Sequence, residues 1–311
     1  MDVTRQRNLV MLLALAGIWG ASFMFIKIAV RELTPATLIV GRLGLAALTL
    51  GLLVPFAVGS RETLRQLREN WVWLLVVALV NTAIPFWLLS WGETRIDSGL
   101  ASIIQASVPI FNAVIAFVAF REVRVTGSRL LGVMVGFLGV ALLVGAQPEG
   151  KVLGALAVVG MAFCYGVGGL MTGRYLKPVR PVVVAFASTA IATLVWLPVG
   201  AAEAPSQMPN WETILSVLAL GIPGTALAYL LFFGLITGAG AAYASLVTYL
   251  IPPIALAYGA FFLGERFGAS AFGGLALILA GVALGTGALR PGRRRSRVPD
   301  DLDVAVEAGK R

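Results

Sequence analysis

Ten apolar runs, each about as long as a hydrocarbon layer is thick, follow one another along this chain with little between them. They occupy residues 9–30, 35–58, 71–91, 98–120, 127–146, 152–173, 181–201, 211–234, 239–262 and 268–289. A helix rises ~1.5 Å per residue and must cross ~30 Å of hydrocarbon, so each span needs ~20 mostly apolar residues. No other feature narrows the fold as far. Backbone amides in lipid must be satisfied within their own segment, and the ten-residue alternation of a membrane barrel is not written here, so the runs are expected to be helices. The expected fold class is all-α integral membrane, with ten transmembrane helices.

Composition agrees with lipid rather than a large soluble core. Only 13% of residues are charged and 59% are hydrophobic, where a soluble domain carries roughly 25% and about 45–50%. The net charge of +9 does not indicate nucleic acid, because the basic residues sit in the gaps between runs and in the tail, where they set topology. With the N-terminus inside, the inner segments hold Arg5, Arg7, Arg61, Arg65, Arg68, Arg121, Arg124 and Arg129, then Arg174, Lys177, Arg180, Arg290, Arg293, Arg294, Arg295 and Arg297. The outer loops hold Arg31, Arg95, Lys151 and Arg266. Sixteen against four places both termini in the cytoplasm of a bacterial-type plasma membrane. The first run imitates a secretory leader but continues to Val30, too far for a leader core. Residues 290–311 form a basic tail that reads as disordered.

The chain is written twice. At an offset of 143, Ala101-Ser102 meets Ala244-Ser245, Pro109 meets Pro252 and Glu122 meets Glu265. At 142, Gly132, Gly139-Val140-Ala141-Leu142 and Gly145 meet Gly274, Gly281-Val282-Ala283-Leu284 and Gly287. Earlier spans echo at 146, Trp19-Gly20 against Tyr165-Gly166 and Pro35 against Pro181. The expected organisation is a short cytoplasmic N-terminus at 1–8, one five-helix repeat at 9–146, a second at 151–289, and the tail. Five spans is an odd number, so the second repeat enters the membrane from the opposite side. Inverted repeats place a substrate site near the midplane between the halves.

Several features together resemble the EamA family of the drug/metabolite transporter superfamily. They are Trp19-Gly20 followed by Ser22, Pro35 leading to Arg42, the proline-to-glutamate fourth and ninth spans, and the glycine-rich fifth and tenth. The resemblance covers about 9–289 and implies a central cavity and movement of small metabolites, often amino acids. Ser188 stands where the repeat would place a second Arg42.

Polar groups inside a membrane are costly, so each suggests a role. Arg42, about seven residues inside its span, either pairs with a substrate carboxylate or snorkels outward to brace carbonyls. Lys27 lies near a span end, where snorkelling is expected. Asn81, Ser90, Gln105, Ser107 and Asn112 in the first half, with Thr225, Tyr229, Thr248 and Tyr249 in the second, supply donors and acceptors to a cavity or bond neighbouring helices. Trp19, Trp87, Trp91 and Tyr165 offer aromatic walls. Pro85, Pro109, Pro223, Pro252 and Pro253 interrupt their helices, as hinges or as static kinks. Glu122 and Glu265 end spans, either as gates or as caps on the helix that follows. Glu93 and Asp97 share a short outer loop with Arg95 and are expected to be solvated. Gly132-x-x-x-Gly136, Gly169-x-x-x-Gly173 and Gly281-x-x-x-Gly285 are expected at helix contacts.

With no histidine and a single cysteine, Cys164, the sequence offers no zinc set and no intrachain disulfide. No metal or cofactor is expected. Gly145 to Lys151 imitates a phosphate loop, but Val152 stands where Ser or Thr would bind magnesium. The sequence therefore points to a secondary transporter, an exporter of a small neutral, zwitterionic or weakly anionic metabolite. Facilitated diffusion and coupling through end-of-helix groups stay open. The expected partners are that solute and membrane lipid, with the chain a monomer or homodimer. A multidrug carrier would want a carboxylate deep in a span, and a lipid-linked group transferase would want an acid/base cluster; neither is written in the spans.

Overall fold

The computed structural model describes residues 3–119 and 127–286 and contains no strand among them. Glu122, Arg121, Arg124 and the basic tail lie outside the described residues. The helices run in order as α1 (Val3–Ala29), α2 (Pro35–Val58), α3 (Ser60–Glu69), α4 (Trp71–Ala78), α5 (Ile84–Glu93), α6 (Ser98–Gln105), α7 (Val108–Ala119) and α8 (Ser128–Gly145). After these come α9 (Glu149–Tyr175), α10 (Pro181–Ala202), α11 (Trp211–Gly221), α12 (Ala228–Ala239), α13 (Ala241–Ala244), α14 (Val247–Leu263) and α15 (Ala269–Thr286). Seven stretches are long and apolar enough to cross a membrane: Thr4–Ala29, Pro35–Val58, Trp71–Glu93, Ser98–Val118, Lys151–Tyr175, Pro181–Ala202 and Trp211–Ala239. Three apolar helices, Leu130–Gly145, Val247–Leu263 and Ala269–Leu284, are shorter. Phe56 is 90% exposed and Phe261 86%, an outer surface that only an apolar solvent tolerates.

Local sequence explains the boundaries. Thr34 caps α2 by accepting the Thr37 amide at 3.3 Å, and Pro35 occupies the first turn, where its missing N–H costs nothing. Gly59, at φ +91°, turns the chain into α3, which lies outside the spans. There the Arg65 guanidinium, 2.7 Å from Glu62, holds the Glu62 carboxyl down at about 2. Gln66 accepts the Arg180 amide at 2.9 Å and so fastens α3 to the start of α10.

Two wide π turns interrupt the spans, at Leu79–Ala83 between α4 and α5 and at Ile222–Leu227 between α11 and α12. Their starts differ by 222 − 79 = 143, the offset of the sequence repeat. A proline ring clashes with the carbonyl four residues back; one π turn precedes Pro85, and Pro223 lies inside the other. The buried Thr225 hydroxyl donates to the Leu220 carbonyl five residues back at 2.8 Å. The corresponding Thr82 is also buried, but its hydroxyl has no partner among the described residues.

Packing across the halves is matched. The long helix α1 packs on α11, α12 and α14, and α9 packs on α5, α6 and α7, while α2 packs on α10 and α8 on α15. A Cβ on Gly20 would strike Ile254 and the Ala255 amide nitrogen; one on Gly166 would strike Phe111 and the Asn112 amide nitrogen. These are the same contacts at the offsets 146 and 143. In α8 and α15 the backbones touch, since a Cβ on Gly281 would sit 2.5 Å from the Gly136 nitrogen. The pair Gly169 and Gly173 departs from expectation: nothing lies within 4 Å of a Cβ on Gly173, so this pair makes no close helix crossing.

Candidate functional site

The matched helices leave a cavity of about 470 Å³ at their centre. From α1 it takes Trp19, Ser22, Phe23 and Ile26, four positions on one helical face. Arg42 enters from α2, Asn81 from the first π turn, and Thr225 from the second. Gln105, Pro109 and Asn112 come from the α6–α7 break and the turns beyond it, and Tyr165 comes from α9. Tyr229 and Phe232 of α12 face Ser245, Thr248 and Tyr249 around the start of α14. The π turns matter here because each re-aims a polar residue toward the centre. Sequence reasoning missed Phe23, Ile26, Phe86 and Leu89, which carry no polar mark. Stepping four residues from Trp19 reaches Phe23 and four from Ser22 reaches Ile26, whereas Phe86 and Leu89 lie five and eight residues beyond Asn81, past the π turn.

Arg42 is the one charged side chain among the described lining residues. It is 6% exposed. Its Nε donates to the Thr225 hydroxyl oxygen at 3.1 Å, and its guanidinium lies 4.5 Å from the centre of the Phe86 ring. It therefore does not snorkel to an end: the hydroxyl fixes one edge of the fork, and the ring supports its face. The Trp19 and Phe232 rings pack at 5.5 Å and form an apolar wall. A positive fork, amide and hydroxyl groups and aromatic faces together suit a small solute that carries a carboxylate.

Other expected residues fall elsewhere. Trp87 stacks on Trp196 at 5.7 Å and on Trp91 at 5.9 Å, away from the lining, because it follows Phe86 by a single residue and so points ~100° around the helix. Of the prolines expected to bend spans, Pro109 borders the cavity, Pro85 sits in the first turn of α5, and Pro252 and Pro253 lie inside α14.

Two corrections concern the end of the bundle where α5 meets α6. Glu265 does not cap the helix that follows it. Its carboxylate accepts the Ser98 amide at 2.8 Å, the Ser98 hydroxyl at 3.0 Å and the Gly99 amide at 3.1 Å, capping the N-terminus of α6 far away in sequence. Glu93 is not solvated but fully buried. Beside it Lys27 donates to the Glu93 and Ile96 backbone carbonyls, each at 2.7 Å, supplying the end of α5 with donors it lacks. Lys27→Met is expected to leave these carbonyls unpaired and lower stability by about 1–3 kcal/mol. Thermal unfolding in detergent checks this; an unchanged midpoint refutes the brace.

Comparisons with known proteins bear on the family and the fold. A sequence model of the EamA-like transporter family matches residues 7–145 and again 152–286. The uncharacterized transporter YvbV of Bacillus subtilis is 26% identical over 287 residues, spanning 91% of this chain and 92% of that one. A probable terminal-alkyne amino-acid exporter of Streptantibioticus cattleyicolor is 26% identical over 272 residues, 86% of this chain and 89% of that protein. Protein PecM of Dickeya dadantii is 25% identical over 226 residues, 69% and 74% of the two chains. A solved crystal structure of 18% identity superposes with a TM-score of 0.64 over 91% of this chain and 98% of that one, a likeness of fold.

Proposed function

We propose, from the premise that this chain belongs to the EamA-like transporter family, that it exports a small carboxylate-bearing metabolite such as an amino acid. The family is one of transporters, and YvbV and the Streptantibioticus protein are named as a transporter and an exporter. The observation that carries the substrate reading is Arg42, the single charge among the described lining residues, held by Thr225 over an aromatic ring. A cavity of about 470 Å³ suits a solute of amino-acid size, and one similar protein is named a probable exporter of an amino acid. Cationic drugs would meet a like charge there, which disfavours the multidrug alternative.

The mechanism we infer is alternating access by two inverted five-helix halves, with the three shorter apolar helices counted as spans. The twofold family match, the paired π turns and the matched Gly20 and Gly166 contacts support that reading. Two like halves facing opposite ways give two access states of similar energy. The charge bias of the loops supports a reading with both termini in the cytoplasm, and we take the membrane to be the plasma membrane. Monomer or homodimer, it needs lipid and a solute as partners. The test is counterflow of a labelled amino-acid panel in proteoliposomes. Saturable exchange of one class is expected; no exchange of any solute would sink the proposal.

A further inference from the structure

At the end of the cavity braced by Lys27, a carboxyl group is buried without a bond. Glu93 is fully buried, and neither side-chain oxygen has a hydrogen-bond partner among the described residues. It stands on α5 four residues beyond Leu89, which lines the cavity, or about 6 Å of helix rise.

The charged groups around it make their hydrogen bonds to other partners. Lys27, next to the cavity residue Ile26, gives its ammonium to the Glu93 and Ile96 backbone carbonyls. Glu265 takes three donors from Ser98 and Gly99. Arg42 is held by Thr225 and Phe86. Lys27, Glu265 and Arg42 are the ionisable groups acting on Glu93. On the same turn, Asp97 pairs with Lys151 at 3.9 Å, and Arg95 lies 3.6 Å over the Trp91 ring. An ionised carboxylate in that place would be dehydrated and unpaired, and such a group takes a proton instead.

We propose that Glu93 is a proton-binding site beside the cavity, one helical turn beyond Leu89. It takes one proton from water as this end closes and returns it as this end opens; no other covalent bond changes. Opening must break the bonds of Lys27 and Glu265 to the turn from Glu93 to Gly99, and that movement admits water to the carboxyl. The coupling of this site to flux rests on the transporter reading above.

The measurement is infrared difference spectroscopy between the native protein and its variants, each full-length in lipid vesicles at one pH. A protonated-carboxyl C=O band is expected at neutral pH. It should be present in the native protein, shifted in Glu93→Asp and absent from Glu93→Gln. A native spectrum without that band, or one that Glu93→Gln leaves unchanged, overturns the site. Counterflow on the same vesicles is expected to change by up to about tenfold per pH unit in the native protein, the slope of one linked proton, and to be flat in Glu93→Gln. A pH slope that survives Glu93→Gln overturns the coupling. The band without flux of any solute sinks the transporter reading and sustains the proton site; flux without the band does the reverse.

Discussion

Arg42→Ala is expected to slow carboxylate counterflow about 100-fold while the protein still elutes as one folded species. The reason is the geometry of the fork. Phe86 supports its face and Thr225 anchors Nε, so the guanidinium is held in place before any solute arrives. Truncating a partner in a buried charge-assisted bond costs about 2–5 kcal/mol, and each 1.4 kcal/mol is about tenfold. Arg42→Lys should recover part of the rate, because a point charge replaces the fork without its bidentate match. Thr225 keeps its bond to the Leu220 carbonyl, so the π turn does not depend on the arginine. Rates equal to the native protein for every carboxylate tested would show that Arg42 braces the helices and does not touch solute.

Gly281→Leu is expected to be the most damaging of the glycine substitutions. A Cβ there would meet the Gly136 nitrogen at 2.5 Å and the Gly132 carbonyl oxygen at 2.6 Å. Both are backbone atoms of α8, so no side chain can swing aside, and the two helices must separate. Gly281→Ala should already cost about 1–3 kcal/mol, the usual range for an overpacked core, and leucine more. In lipid the loss is not recovered elsewhere, because tails are as apolar as leucine and close packing is what holds helices together. Gly17→Ala is the control: nothing lies within 4 Å of its Cβ, and alanine favours a helix by about 0.5–1 kcal/mol over glycine. Thermal unfolding followed by size-exclusion chromatography reads all three. Equal midpoints for Gly281→Ala and Gly17→Ala would refute the crossing.

Some of the candidate site was legible because membranes make polarity expensive. Ser22, Asn81 and Asn112 stand out of their apolar runs, and all three line the cavity. Trp87 misled because an indole serves equally as a wall, an interface anchor or a stacking partner, and its neighbours Trp91 and Trp196 decide among these. Glu93 and Glu265 misled for a different reason. Along the chain both sit at span ends, where water is the default surrounding. The contacts that bury one and recruit the other as a cap come from segments up to 167 residues away.

By itself the sequence determined the helical class, the membrane character and the family. Those follow from rules that act within one segment, since run length, backbone satisfaction and the cost of charge can be read without knowing what lies beside the helix. Only the tertiary structure decided which face of each helix turns inward. A leucine gains as much against lipid tails as against another helix, so one-dimensional hydropathy cannot separate core from surface. It also placed Arg42 over Phe86, tied Lys27 to the end of α5 and left Glu93 buried without a bond. Each depends on segments meeting in space, and the chemistry of this protein rests on those meetings.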